Sequence, residues 1–198
     1  NSDWIRAEHP DWSGPSIVCH PPSRSADHKT VNAKRASKRT ATLVNLLGEK
    51  GGPLFWRLAE ALPDWRFLGC EGAYGMQCLP EVMPSNGEYV RQNTDMTWVW
   101  KQTSVLLVPS WYESWSLTAV EAIASGIPVL AHPTPGLLES MTSPEHGPCA
   151  WFIDRDDDQA WADALAELAK PAVWRAWSKK ARLRSAELDA LAIADLDR

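Results

Sequence analysis

The stretch "LLVPSWYESWSLTAVEAIASGIPVLA", residues 106–131, decides how this chain folds. Four apolar residues before Pro109 read as a buried strand. The loop "SWYESWS" carries two tryptophans and Glu113. "LTAVEAIAS" reads as a helix that carries Glu121 and ends at Gly126, where a left-handed residue closes a helix at least cost. "IPVLA" is the next strand. One strand–helix–strand unit thus places two glutamates, eight positions apart, on either side of a strand-to-helix turn.

The same rhythm extends in both directions. Downstream come "PGLLESM" as a short helix, "CAWFI" as a strand, and "DDDQAWADALAELA" as a helix with an acidic first turn, the end that the helix dipole favours for carboxylates. "PAVWRAWSKKARLRSAELDAL" continues as helix, with Pro171 in its first turn. Upstream, "TATLVNLL" (40–47) is a buried strand and "GEKGG" a turn. "PLFWRLAEAL" is a helix with Leu54, Leu58, Ala61 and Leu62 on one face, and "WRFLGC" (65–70) is a strand. "EGAYG" reads as a turn, "QCLPEVM" as a short strand, "PSNGEYVRQNT" as a loop, and "DMTWVWKQ" as a short helix with Asp95 as N-cap. The first fifteen residues read as an extended arm, "SIVCH" (16–20) as a short strand before Pro21 and Pro22, and 23–39 as a basic linker or weak helix. Strands that are continuous apolar runs and alternate with helices predict a parallel sheet covered on both faces. The expected fold is α/β, a Rossmann-like doubly wound parallel sheet. Its expected limits are residues 16–175, after an arm at 1–15 and before a C-terminal helix and tail at 176–198.

Composition narrows the function classes. The chain has 198 residues, 44% hydrophobic and 23% charged, with a net charge of −5. An acidic balance argues against general nucleic-acid binding. Residues 23–39 hold six Lys or Arg and one Asp, either a solvated linker or a basic strip near a phosphate site. The four cysteines, Cys19, Cys70, Cys78 and Cys149, lack zinc-like spacing and read as reduced thiols. No apolar run approaches the ~18 residues of a membrane span, and no signal peptide is visible, so a cytoplasmic location is expected. The first residue is Asn1 rather than Met, which reads as a piece or trimmed form of a longer protein. Twelve tryptophans are scattered along the chain, and most are expected in core or half-buried packing.

Two turns carry candidate chemistry. Ligands of such sheets bind beyond the carboxyl ends of the strands, where helix N-termini aim N–H groups outward. In "VNLLGEKGG", Gly51 and Gly52 allow close backbone approach and Lys50 supplies a charge for phosphate; the alternative is a surface lysine beside a flexible turn. In "PSWYESWSLTAVE", the amides of Ser116, Leu117 and Thr118 offer an anion site at the start of a helix. A carboxylate accepts two hydrogen bonds at once and suits vicinal hydroxyls of a sugar. Glu113 and Glu121 therefore read either as sugar-hydroxyl acceptors flanking a diphosphate site, or as a solvated loop acid and a helix acid.

The stretch "PSWYESWSLTAVEAIASGIPVLAHPTPGLLES" resembles the signature of retaining glycosyltransferases of family 4, the group 1 glycosyltransferases with the GT-B fold. Their pattern runs P-S-x-x-E-x-[FW]-[GS]-x-x-x-x-E-A-x-A-x-G-x-P-V, followed by a G-G-x-x-E turn. The "VNLLGEKGGPLFWRLAEAL" stretch is similar to the family's Lys-Gly turn, in the family's order, and the resemblance spans roughly residues 16 to 185. It implies the C-terminal, donor-binding half of a GT-B enzyme, which normally needs a second Rossmann-like domain and about 350–400 residues. By the resemblance, Glu121 would hold the ribose hydroxyls and Glu113 would face the donor sugar. Lys50 would neutralise the departing diphosphate, and Ser116 and Leu117 would meet the diphosphate or sugar. Asn45, Gly51, Trp115, Thr118 and Gly136 would complete the substrate site, with Glu139 behind it. The loops "EGAYG" and "MPSNGEY" would flank the base. The implied substrate is a nucleotide-diphosphate sugar of UDP or GDP type, without metal or other cofactor. The acceptor would be met by a domain or chain not represented here.

Three positions depart from the pattern. Asn45 stands where many members carry Arg, a cation whose charge-assisted bond is worth about 1–3 kcal/mol. Ser116 stands where Gly is common, and Leu137 replaces the second glycine of the G-G turn. A non-catalytic nucleotide-sugar-binding or interaction module on a degenerate GT-B half is the alternative reading.

Overall fold

Val105–Val108 form strand β4 and are buried at every position, as expected of a strand covered on both faces. Their neighbours on the two faces differ. Val105 and Leu107 pack into one hydrophobic cluster, Leu106 and Val108 into another, as the two-residue period of a strand requires. The computed structural model describes residues 2–24, 38–91 and 96–196.

Six parallel strands form the central sheet: β1 (Thr40–Val44), β2 (Arg66–Cys70), β3 (Gly87–Val90), β4, β5 (Val129–Ala131) and β8 (Ala150–Phe152), in the order β3-β2-β1-β4-β5-β8. The chain builds outward from β1 through β2 to β3, returns to lay β4 on the other side of β1, and continues outward. That is the doubly wound order, and it opens a crevice at the carboxyl ends of β1 and β4. Strands β6 (Thr142–Ser143) and β7 (Gly147–Pro148) form a small antiparallel hairpin.

Helices cover both faces. On one side α2 (Gly52–Ala61) and α6 (Asp158–Leu168) bury Leu54, Phe55, Leu58, Trp161 and Leu165 against β1, β2, β4 and β5. Phe55 meets Phe67 edge-on at 5.2 Å. Each such side chain contributes about 1.5–3 kcal/mol by burial. On the other side lie α3 (Met96–Gln102), α4 (Leu117–Ala124), α5 (Pro135–Met141) and α7 (Pro171–Leu196), with Trp100, Ile123, Leu137 and Leu188 at their contacts. Asp157 caps α6 by accepting the Ala160 N–H, so of "DDDQAWADALAELA" Asp158 opens the helix and the two acids before it lie outside. Arg184 donates to the carbonyls of Glu139 and Ser140 at the end of α5. Trp56, Trp65, Trp100, Trp115, Trp161 and Trp174 are buried, while Trp12, Trp98 and Trp111 are exposed.

Several expectations change. The arm at 1–15 contains a short helix, α1 (Asp3–Ala7), because the Glu139 carboxylate accepts the N–H groups of Asp3 and Trp4 at its start. "SIVCH" pairs with no strand among the described residues; the His20 N–H and ring Nδ1 instead bond the Asp195 carboxylate. "QCLPEVM" forms no strand, because its polar groups turn inward: Cys78 O accepts the Trp56 indole and Gln77 bonds the Asn45 region. "PSNGEYVRQNT" is not wholly a loop, since Gly87–Val90 add the edge strand β3 to β2. β1 ends at Val44, short of Leu47, because Asn45 takes a left-handed conformation with φ 70°. The helix from Pro171 runs unbroken to Leu196, so the boundary at 175/176 falls inside α7. Asp95 and most of the basic stretch 23–39 lie outside the described residues.

Candidate active site

The loops after β1 and β4 meet at the crevice and enclose a cavity of about 320 Å³. Its lining includes Asn45, Lys50, Glu113, Ser116, Leu117 and Thr118, together with the 71–74 turn and the strand ends at Leu43, Val44, Leu107 and Val108. A larger hollow of about 900 Å³ lies within residues 2–18 and includes none of these side chains.

Lys50 reaches across the cavity mouth. Its Nζ donates to Glu113 Oε1 at 2.8 Å and to the Tyr112 carbonyl at 3.3 Å. Ser110 Oγ donates to the same Glu113 oxygen at 2.7 Å. Both charged side chains are mostly shielded, at 18% and 15% exposed. The chain can bring them this close because of Gly51. It sits at φ 90°, and a Cβ there would fall 2.2 Å from Pro109 Cγ. Gly136 does the same work behind the Glu113 loop, where a Cβ would lie 2.3 Å from the Glu113 carbonyl oxygen.

Ser116 is the N-cap of α4 in a left-handed conformation, with φ 67°, and its side chain makes no capping bond. The first amides of α4 have no acceptor within their own helix and carry the positive end of its dipole. A glycine at this position would adopt the same backbone without strain, which accounts physically for Gly being common there. Asn45, also left-handed, is held by its N–H to Cys70 O and by Gln77 Nε2 to its Oδ1.

The other candidate residues are placed around this cavity rather than at its surface. Glu121 is half-buried on α4 and accepts the Trp100 indole N–H at 3.3 Å. Trp115 is a core residue, 1% exposed, with its ring 4.8 Å from that of His20. Gly51 and Gly136 act through backbone packing. Of the two loops expected near the base, "EGAYG" lines the cavity, whereas Asn86 of "MPSNGEY" caps α2 by donating to Ala59 and Leu62 carbonyls. Sequence reasoning missed Gln77, whose Oε1 accepts the N–H groups of Leu46 and Gly72 and so ties the loop after β1 to the 71–74 turn. It also missed Arg155, which no local motif marks, and gave no role to Trp111, although that residue lies within the "PSWYES" stretch.

Among the described residues, Asp3, His20 and Glu139 bring metal-ligand-type atoms within 4.8 Å of one another. None lines the cavity. His20 Nδ1 bonds Asp195 at 2.7 Å, and both Glu139 oxygens already accept α1 amides. No helix among the described residues is long and apolar enough to cross a membrane. Burial pushes the Cys70 thiol, at the end of β2, up to about 12, and does the same to Cys149.

Known proteins resemble this chain in sequence and in fold. Residues 84–170 match the family model described as Glycosyl transferases group 1. D-inositol 3-phosphate glycosyltransferase of Corynebacterium urealyticum is 31% identical over 166 residues, which cover 72% of this chain and 38% of that protein. This chain spans less than half the length of the curated relatives it matches. HepE of Anabaena, solved in complex with UDP-glucose, superposes with a TM-score of 0.73 at 15% identity, over 100% of this chain and 62% of that one. The C-terminal domain of the group 1 glycosyl transferase LpcC from Francisella tularensis superposes with a TM-score of 0.64 at 15% identity, over 84% of this chain and 97% of that domain. The doubly wound sheet, the family match over residues 84–170 and the relatives agree: this chain is similar to the group 1 glycosyltransferases and has the Rossmann-like α/β fold of a GT-B domain.

Proposed function

We propose that this chain binds the nucleoside-diphosphate part of a nucleotide-sugar donor and presents the sugar for transfer with retention of configuration. The observation that carries this reading is the convergence of Lys50, Glu113 and the first turn of α4 on one cavity at the β1/β4 switch point. The diphosphate sits against the α4 amides and Lys50, where dipole and ammonium both favour negative charge. Glu113 accepts hydroxyls of the donor sugar, and Glu121 those of the ribose. UDP is the first nucleotide to test, since HepE was solved with UDP-glucose.

As the bond from the sugar to the diphosphate lengthens, charge grows on the leaving oxygen. Lys50 and the helix N-terminus stabilise that charge without reorganisation. The acceptor is met by residues outside this chain, and their closure over the donor supplies the orientation that efficient transfer needs. No metal takes part in this scheme, and the site is expected to work in the cytoplasm.

The test is binding of UDP, GDP and ADP to this chain with metal excluded by chelator. Tighter binding of one diphosphate than of its monophosphate supports the reading. A folded chain that binds none of them leaves the non-catalytic module, which the Asn45 position favours, as the better account.

A further inference from the structure

The guanidinium of Arg155, in the loop between β8 and α6, donates from Nη1 to the Glu49 carbonyl at 3.2 Å and from Nη2 to the Gly48 carbonyl at 3.1 Å. Those two carbonyls belong to the turn that carries Lys50. Each already accepts one backbone N–H: Gly48 O from Gly51 and Glu49 O from Trp111. Arg155 therefore fills the second acceptor position of both. Its Cζ lies 4.1 Å from the centre of the Trp111 ring, a cation–π contact. Its own N–H donates to His132 Nδ1 at 3.1 Å, and the His132 ring meets Trp111 edge-on at 6.1 Å. One residue thus ties together the loops after β1, β4, β5 and β8. The side chain is 10% exposed, and burial lowers its pKa below that of a free arginine, so the group was placed at some cost in hydration.

The geometry points to Arg155 as a positioning residue that fixes the Lys50 turn, and through it the Lys50 ammonium, in its place at the diphosphate site; the functional part of this assignment rests on the reading above. A planar fork is needed to serve two carbonyls and a ring at once. Lysine keeps the charge but loses the fork. Arg155 does not line the cavity, so its effect passes through the turn.

Two measurements on Arg155→Lys and Arg155→Ala test this. The first needs no ligand: amide hydrogen exchange across residues 48–52, where the Lys50, Gly51 and Gly52 N–H groups are hydrogen-bonded within the turn. Both variants are expected to accelerate exchange there by at least about tenfold, with the β4 and β5 amides unchanged. Unchanged exchange at 48–52 overturns the assignment. The second is calorimetric titration with UDP and UMP. Both variants are expected to lose about tenfold to a hundredfold in UDP affinity while UMP affinity holds. Full UDP affinity in Arg155→Lys assigns the effect to charge rather than to the clamp and overturns the proposal. Equal losses for UDP and UMP, with faster exchange throughout the sheet, would make Arg155 a general stability residue, which also overturns it. A parent chain that binds no nucleotide while exchange at 48–52 responds as expected would defeat the diphosphate reading and leave the clamp standing.

Discussion

Lys50 Nζ and Glu113 Oε1 lie 2.8 Å apart at the mouth of the cavity, an ion pair between the two turns that flank the switch point of the sheet. With no ligand bound, each charge is the other's partner. A diphosphate must compete with Glu113 for Lys50, and a sugar hydroxyl must compete with Lys50 for Glu113. Glu113→Gln removes the competition for the ammonium but weakens the acceptor. The expected result is UDP binding as tight as the parent or tighter, with the added affinity of a matching UDP-sugar lost. Titration of both ligands checks it, and a loss confined to UDP would speak against a sugar-facing Glu113.

Lys50→Ala leaves Glu113 half-buried without its cation, held by Ser110 alone among the contacts described above. The variant is expected to lose about 1–2 kcal/mol of stability, between the values for surface and buried pairs. It is also expected to lose most of the preference for UDP over UMP. Denaturant unfolding and titration measure the two effects separately.

Glu121→Gln keeps an acceptor for the Trp100 indole and removes the carboxylate. Weaker binding of uridine, UMP and UDP alike, by about tenfold or more, is expected of a ribose contact, since charged hydrogen bonds are worth about 1.5–3 kcal/mol. If UDP binding falls and uridine binding does not, the ribose assignment is wrong.

Ser116 holds φ 67° without being glycine. Ser116→Gly relieves a strain of about 1 kcal/mol and gives part of it back through the freer unfolded chain. A net gain of no more than about 0.6 kcal/mol in denaturant unfolding is expected.

The raised thiols of Cys70 and Cys149 make stability depend on high pH. Their folded values are about 12 against an ordinary 9.0, with burial as the first cause. The folded chain keeps these protons longer than the unfolded chain. Their contribution is therefore fully present below pH 9 and is lost as pH rises towards 12. Between those limits, Cys70→Ala is expected to show a flatter decline in unfolding free energy than the parent. At pH 8 iodoacetamide is expected to label the exposed Cys19 and spare both buried thiols.

The alternation from Thr40 to Leu168 was legible because apolar runs and helical faces are local signals. β3 was not, because Gly87–Val90 form an edge strand that is only half-buried, so its residues lack a core-like pattern. α1 was not, because its start depends on Glu139, more than a hundred positions away. At the site, Lys50 and Glu113 stood out in motifs, but their pairing is set by the juxtaposition of β1 and β4. Trp115 sits in a motif and turned out to be core, since the turn into α4 directs its ring towards His20 and away from the cavity. Arg155 and Gln77 act on backbone groups of other loops, a role that leaves no pattern in a single sequence.

The most direct test of the central claim is calorimetric titration of this chain with UDP, GDP, ADP and their monophosphates in the presence of chelator. The account predicts saturable binding of one base, strengthened by its second phosphate and weakened by Lys50→Ala. Diphosphate and monophosphate binding equally, or no binding by a folded chain, would contradict it.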